Sequence, residues 1–318
     1  MMPRTIPLAI GAGVLSALMF AWFTFDPTLA LMISPFAMLP LILIGLSGTA
    51  LTSGLAAVSA ILVVGLVGGS LSVAALYAAA EAIPALGLSR LALRKRVGAD
   101  GVARFTVAGP LILSAAFYMA ALFLVLYVAL MGRENGMLGA LSGQFSAFLG
   151  TLSRPDASPA DIATSAETMA LLFPGMAAAW WLVIVLLNLS VAERLLAKWG
   201  RNLRPALSLG RMYLPRWLIA LFGLCALLGL VADGDLSFIG WTLGLIFVVP
   251  FMFVGMVCLH ALCRNWGPGP LALIGCYLFM IVLIVSGHGA APILAVAALG
   301  IAEQWIKLRD RIGGPRPV

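Results

Sequence analysis

Glu81 has the clearest potential for chemistry, because it lies near the centre of the apolar run from Ser70 to Leu93. A carboxylate at mid-bilayer costs roughly 2.5–3.5 kcal/mol on insertion scales, so such a residue normally faces the bundle interior or a wet cavity. On a helix, Tyr77 lies one turn before Glu81 on the same face. Pro84 has no backbone N–H to donate, which leaves the carbonyl of Ala80 without its helical partner. These groups predict a polar binding site, or alternatively a hydrogen-bonding contact between helices.

Asn188 is a second polar residue inside an apolar run, the one from 169 to 192. Its amide can bond a neighbouring helix or contact a ligand, and the sequence leaves both alternatives open. Asn188 joins Tyr77 and Glu81 as a candidate substrate-binding residue. A common site would require the helices that carry these residues to pack together.

No pattern in the chain is typical of an enzyme active site. Paired mid-membrane carboxylates, an H-E-x-x-H helix, a G-x-S-x-G elbow and a phosphate-binding glycine-rich loop with lysine are all missing from the sequence. Nucleophilic catalysis needs an activating partner, and Glu81 alone has none. The 2 histidines lie at opposite predicted membrane faces, and the 4 cysteines show no paired metal-ligand spacing. We therefore expect no enzyme activity, no metal and no cofactor.

The composition is that of a polytopic membrane protein, with 63% hydrophobic and only 10% charged residues. Apolar runs of about 18–25 residues predict an all-α bundle of about ten transmembrane helices. The second run, interrupted by Pro35 and Pro40, is predicted to be kinked or partly re-entrant. The predicted spans are 6–25, 28–47, 50–68, 70–93, 105–131, 169–192, 215–232, 238–262, 268–287 and 289–306.

The basic residues indicate the orientation of the chain. With the N-terminus inside, only Arg133 and Arg154 of the 19 lysines and arginines fall in outer loops, where the acidic residues collect. This bias predicts a multi-pass protein of the bacterial inner (cytoplasmic) membrane, with both termini cytoplasmic. The net charge of +7 therefore reflects orientation, and no nucleic-acid partner is predicted.

The chain is expected to form a single integral membrane domain, 1–318. It would consist of an N-terminal part of about five helices (1–131), an external amphipathic loop (132–168) and a C-terminal part of about five helices (169–318). The loop has apolar residues at helical spacing, which predicts a helix lying on the outer membrane interface. Ser158 as N-cap and Pro159 in the first turn predict the start of a further helix that continues into the sixth span.

Small residues recur at helical spacing on the first predicted span, at Ala9, Gly13 and Ala17. Such a stripe lets two helix backbones approach closely where no hydrophobic effect drives helices together. It predicts either packing inside the protein or a docking face for a partner membrane protein.

Two C-terminal segments resemble a known family. FVGMVCLHALCRNWG (253–267) and LGIAEQWIKLRDR (299–311) are similar to the closing pattern of the YybS-like predicted membrane proteins. LPLILIGLSGT (39–49) and ALRKR (92–96) resemble that family as well. The resemblance covers most of the chain, but the family is a domain of unknown function and supplies no catalytic or ligand residues.

The N-terminal part of that family is similar to the substrate-binding components of energy-coupling-factor vitamin transporters. In those transporters a small-residue stripe on the first helix docks the energising subunit, and Ala9, Gly13 and Ala17 match its spacing, with glycine at one place where alanine is usual. The resemblance implies a small-molecule binding or transport component in the lipid bilayer. The alternative is a non-transport scaffold that recruits partner proteins.

Overall fold

The computed structural model describes residues 5–22, 25–97, 101–132, 136–152, 158–205, 207, 210, 212–265 and 269–311. The chain ends that were predicted to be cytoplasmic, 1–4 and 312–318, lie outside these ranges. The chain divides into two compact units, of which unit 1 comprises residues 1–115 and 181–208, and unit 2 comprises residues 116–180 and 209–318. The units do not coincide with the predicted five-helix parts, because two long helices each contribute residues to both units.

Unit 1 is built from the N-terminal helices, a short hairpin and the second half of a later helix. Its elements are α1 (Thr5–Ala21), α2 (Pro27–Ile33), α3 (Met38–Ser47), α4 (Ala50–Gly68), α5 (Leu71–Tyr77), α6 (Ile83–Leu93), β1 (Lys95–Val97), β2 (Ala103–Phe105), the start of α7 (Ala108–Leu130) and the end of α9, described below.

The bounds of α4 follow from its flanking residues. The Thr49 side chain accepts the backbone N–H of Thr52, and the Thr52 side chain accepts that of Thr49, so both threonines cap the helix start. Gly69 ends the helix in the left-handed conformation, with φ 59°. The predicted span 50–68 is thus delimited by local signals on both sides.

The small-residue stripe packs inside unit 1, where α1 lies against α4. Ala9, Gly13 and Ala17 are all buried. A Cβ at Gly13 would collide with the Ser59 hydroxyl and the Ala56 carbonyl oxygen, so glycine permits this close approach. The structure thus shows the stripe packed inside the protein, and docking of a partner membrane protein through it stays a prediction.

Two of the N-terminal spans are broken within the membrane-spanning stretch. A 3₁₀ turn (Ser34–Phe36) separates α2 from α3, as expected for a span containing Pro35. A π turn (Ala78–Ala82) separates α5 from α6. Breaks of this kind expose backbone carbonyls, which then need partners from other helices.

Unit 2 contains the remaining helices. They are the end of α7, α8 (Gly136–Leu152), the start of α9 (Pro159–Lys198), α10 (Trp217–Val231), α11 (Gly234–Asn265), α12 (Gly269–Leu283), α13 (Ala290–Ile306) and α14 (Leu308–Arg311). The predicted helix start at residue 158 is confirmed, since the Ala160 N–H donates to the Ser158 hydroxyl at 3.2 Å. From there α9 runs for 40 residues without interruption, a length of about 60 Å at 1.5 Å per residue.

A helix forms as α8 in the loop 132–168, where an amphipathic helix was predicted, and its first half packs inside unit 2. Its position on the outer membrane interface stays a prediction. Leu138 and Leu141 contact a buried aromatic cluster. The cluster consists of Phe123, Tyr127 and Phe238. The apolar face of α8 is used for protein packing until its last turns, where Phe148 and Leu152 are exposed.

Close backbone crossings hold the C-terminal helices together. α11 lies against both α10 and α13. A Cβ at Gly255 on α11 would collide with the Val296 carbonyl oxygen, and one at Gly300 on α13 with that of Phe251. Glycines on both helices therefore allow them to touch backbone to backbone.

The structure supports an all-α polytopic membrane protein, although it does not confirm a count of about ten spans. Among the described residues, 7 helices are long and apolar enough to cross a membrane. Shorter apolar helices, Thr5–Ala21, Trp217–Val231 and Ala291–Ile306, stand where the first, seventh and tenth spans were predicted. The first has 17 residues, about 26 Å of helix, against a hydrocarbon core of about 30 Å.

Candidate functional site

Tyr77 ends α5 inside unit 1 and is fully buried. Its hydroxyl lies 2.5 Å from the hydroxyl of Ser16 on α1. Ser16 in turn donates to the carbonyl of Ala37, beside the break between α2 and α3. Because the Ser16 proton is used in that bond, Tyr77 donates to Ser16. Three separate segments are thus tied together by one buried hydrogen-bond chain.

The π turn after Tyr77 leaves a carbonyl free, and the structure supplies its partner. The N–H of Ile83 donates to the carbonyl of Ala78, five residues back, and Pro84 has no N–H. The carbonyl of Ala80 instead accepts the indole N–H of Trp181 at 2.9 Å. Trp181 lies on α9, 101 residues away, so the free acceptor could be predicted from the sequence but its donor could not.

We expect Trp181→Phe to lower the melting temperature of the detergent-purified protein. Phenylalanine keeps an aromatic ring but cannot donate to Ala80, and an unsatisfied buried acceptor costs about 1–3 kcal/mol. Trp180→Phe is the matched control, because the neighbouring Trp180 is 64% exposed. Equal melting temperatures for the two variants would contradict a structural role for the Trp181 hydrogen bond.

Glu81 lies in the π turn itself and is half-buried. Within the described part of the chain, its carboxyl makes neither a hydrogen bond nor a salt bridge. The neighbouring polar groups are occupied by other partners, since Tyr77 bonds Ser16 and the Ala80 carbonyl bonds Trp181. Glu81 is therefore a carboxyl group in a membrane-spanning helix for which no described residue supplies a hydrogen bond or an opposite charge. π turns of this kind occur frequently at functional sites.

Asn188 is fully buried and reaches the same broken segment as the Tyr77 chain. Its side-chain amide donates to the carbonyl of Pro35 at 2.7 Å and to that of Ile184 at 2.9 Å. Its carbonyl oxygen is buried and has no hydrogen-bond partner among the residues the structure describes. Seven positions separate Trp181 from Asn188, so both lie on one face of α9, two turns apart.

The structure places all three predicted site residues in unit 1. Tyr77, through Ser16, and Asn188 converge on residues 35–37, while Glu81 lies one turn from Tyr77 without bonding to it. Neither Ser16 nor Trp181 was predicted as a site residue. Ser16 could have been noticed as the one hydroxyl in the interior of the first span, but nothing in the sequence connected Trp181 to Ala80.

A buried ion pair lies at the C-terminal end of α9 in unit 1. The Arg204 guanidinium lies 3.3 Å from the Glu193 carboxylate and also donates to the Ala92 carbonyl at 2.9 Å. Glu193 accepts the backbone N–H of Leu207 at 2.7 Å. Burial lowers the pKa of Arg204, and the charge of Glu193 opposes that shift. Since the partners of both groups are protein atoms, the pair is structural.

Unit 2 has a corresponding pair after α13. Arg309 lies 2.8 Å from Glu303 and donates to the carbonyls of Gly210 and Met212 at 3.1 and 2.9 Å. Glu303 also accepts the backbone N–H of Leu308 at 2.7 Å. Nothing in the sequence alone marks Glu303 as part of a buried network.

A smaller polar group joins α11 to α12. The imidazole of His260 lies 3.2 Å from the Tyr277 hydroxyl, and the sulfurs of Cys263 and Cys276 are 3.9 Å apart. Within the part of the chain that the structure describes, no three His, Cys, Asp or Glu side chains are grouped to hold a metal ion. The group is a contact between two helices.

Comparison with known proteins finds one family. A family model described as a predicted membrane protein (DUF2232) matches residues 14–302. No curated protein and no solved structure matches the chain. The wider similarity to vitamin-transporter components therefore finds no support outside the sequence motifs.

Proposed function

This chain belongs to the predicted membrane protein family DUF2232, and from that premise we propose that it is a small-molecule binding component of a membrane transport process. The binding site is formed by Glu81, Tyr77 and Asn188 in unit 1. The observation that supports this function is the unsatisfied carboxyl of Glu81 at the π turn.

The surroundings of Glu81 argue against a role as a mere helix contact. A glutamate that joins two helices bonds a donor on the second helix. Here the nearby donors have other acceptors, because Tyr77 donates to Ser16 and Trp181 to Ala80. A polar group left unsatisfied at membrane depth is costly, and such groups usually mark a substrate or ion pathway.

The chemistry of the site favours a small cationic ligand. Glu81 offers a carboxylate, and the buried carbonyl oxygen of Asn188 offers a further unused acceptor. No described lysine or arginine forms a salt bridge with Glu81. A ligand that carries positive charge and N–H donors would complement these acceptors.

Mass spectrometry of small molecules released from the purified protein tests this function. We expect the wild-type protein to release a low-mass cationic compound in about equimolar amount, and Glu81→Gln to release at least about tenfold less, because a charge-assisted contact contributes about 1.5–3 kcal/mol. Glu167→Gln is the matched control, since Glu167 is exposed on α9, and it should retain the compound.

All three proteins are first shown to be folded by size-exclusion chromatography. Equal release from Glu81→Gln and the wild type would refute the proposed site, as would a wild-type protein that releases no stoichiometric small molecule. The scaffold alternative has less support, because the stripe at Ala9, Gly13 and Ala17 is already packed against α4.

A further inference from the structure

We propose that unit 1 carries a binding surface for anionic phospholipid headgroups at the membrane edge where α6 and α9 end. The surface, here called the basic edge, combines the β1–β2 hairpin with the segment that follows α9. It is independent of the proposed ligand site.

Arg204 brings the two parts of the basic edge together. Its guanidinium donates to the carbonyl of Ala92 in the last turn of α6. It also lies over the ring of Phe105 on β2, 5.9 Å from the ring centroid. Its acidic partner, Glu193, belongs to the last turns of α9. The ends of two apolar helices are therefore held at a common level, which fits one edge of the bilayer.

Exposed basic side chains cover this edge. Those described as exposed are Arg90, Arg94, Lys95, Arg104, Arg194, Lys198 and Arg201. Among the described residues of 83–105 and 181–205, Glu193 is the only acidic one, and Arg204 already neutralises it. The basic edge therefore keeps a strong excess of positive charge available to an anionic partner.

Exposed apolar side chains lie between these bases. Trp199 is 55% exposed and Leu203 is 54% exposed in the segment after α9, and Val97 and Val102 are exposed at the hairpin. A soluble anion would gain nothing from such residues. A membrane interface favours them, because tryptophan and aliphatic side chains enter the headgroup region while lysine and arginine meet lipid phosphates.

Native mass spectrometry of the detergent-solubilised protein, titrated with phosphatidylglycerol or phosphatidylcholine, tests this surface. We expect phosphatidylglycerol to bind more tightly, and the triple variant Lys95→Gln, Lys198→Gln, Arg201→Gln to raise its apparent Kd about tenfold or more. The control variant Arg264→Gln, Lys307→Gln, Arg311→Gln removes the same charge from exposed positions of unit 2. It should change the apparent Kd less than about twofold.

Three results would overturn the proposal. The first is equal affinity of the wild type for the two lipids, and the second is an equal loss of phosphatidylglycerol binding in both triple variants. The third is full displacement of phosphatidylglycerol by millimolar inorganic phosphate, which would identify a site for soluble anions. Trp199→Ser adds an independent readout, since it keeps every charge and should still weaken phosphatidylglycerol binding.

Discussion

Arg309→Met is expected to lower the free energy of unfolding of the protein by about 3–5 kcal/mol, the cost of removing one partner from a buried ion pair. Arg309 is 5% exposed and bonds the Glu303 carboxylate together with two backbone carbonyls. Methionine has a similar length but leaves the Glu303 charge uncompensated. Chemical unfolding in detergent, followed by tryptophan fluorescence, measures the change.

The control for this variant is Arg311→Met, two positions along the chain at an exposed residue. It should leave the unfolding midpoint almost unchanged. Adding Glu303→Gln to Arg309→Met should recover part of the loss, because the orphaned charge disappears while an acceptor for the Leu308 N–H remains. A midpoint for Arg309→Met equal to that of Arg311→Met would show that the pair does not stabilise the fold.

Gly300→Ala should destabilise the protein by about 3 kcal/mol, at the upper end of typical overpacking costs. The new Cβ would collide with the Phe251 carbonyl oxygen on α11. A backbone oxygen inside a helix cannot rotate away, so α11 and α13 must separate. Thermal unfolding in detergent measures the loss, and Gly255→Ala should behave alike, because its Cβ would meet the Val296 carbonyl.

Gly275→Ala is the same substitution at a position with space for a methyl group, and we expect it not to destabilise the protein. Gly275 lies on α12, and apart from the adjacent residues and backbone of its own helix no atom stands within 4 Å of the position its Cβ would take. Alanine is the better helix former by about 0.5–1 kcal/mol, so the melting temperature should stay constant or rise. A Gly300→Ala protein as stable as Gly275→Ala would mean that α11 and α13 do not cross closely.

The helices could largely be predicted from the sequence, because length and apolarity are local properties. The predicted span 50–68 coincides with α4, whose capping threonine and final glycine lie next to it in the chain. The start of α9 after Ser158 was likewise a local signal. The packing of α8 could not be predicted from its own sequence, because it depends on an aromatic cluster whose residues belong to α7 and α11.

In the candidate site, too, effects within one helical turn could be predicted from the sequence, whereas contacts between distant residues could not. Pro84 predicted a free carbonyl at Ala80 because that effect operates within one helical turn. The donor, Trp181, is 101 residues away and carries no mark that distinguishes it from Trp180. Glu303 and Arg309 look like ordinary interfacial charges in the sequence, and their role depends on burial against residues about a hundred positions earlier.

The division of α9 between the two units has a consequence for biosynthesis. The ribosome delivers residues 1–115 early, but Trp181, Asn188 and Arg204, which complete unit 1, emerge only after residues 116–180 of unit 2. Until then the Ala80 carbonyl and the broken segment at 35–37 lack their α9 donors inside the bilayer, where unsatisfied backbone groups are costly. Neither unit is a continuous stretch of chain, so translation cannot finish unit 1 before it has begun unit 2.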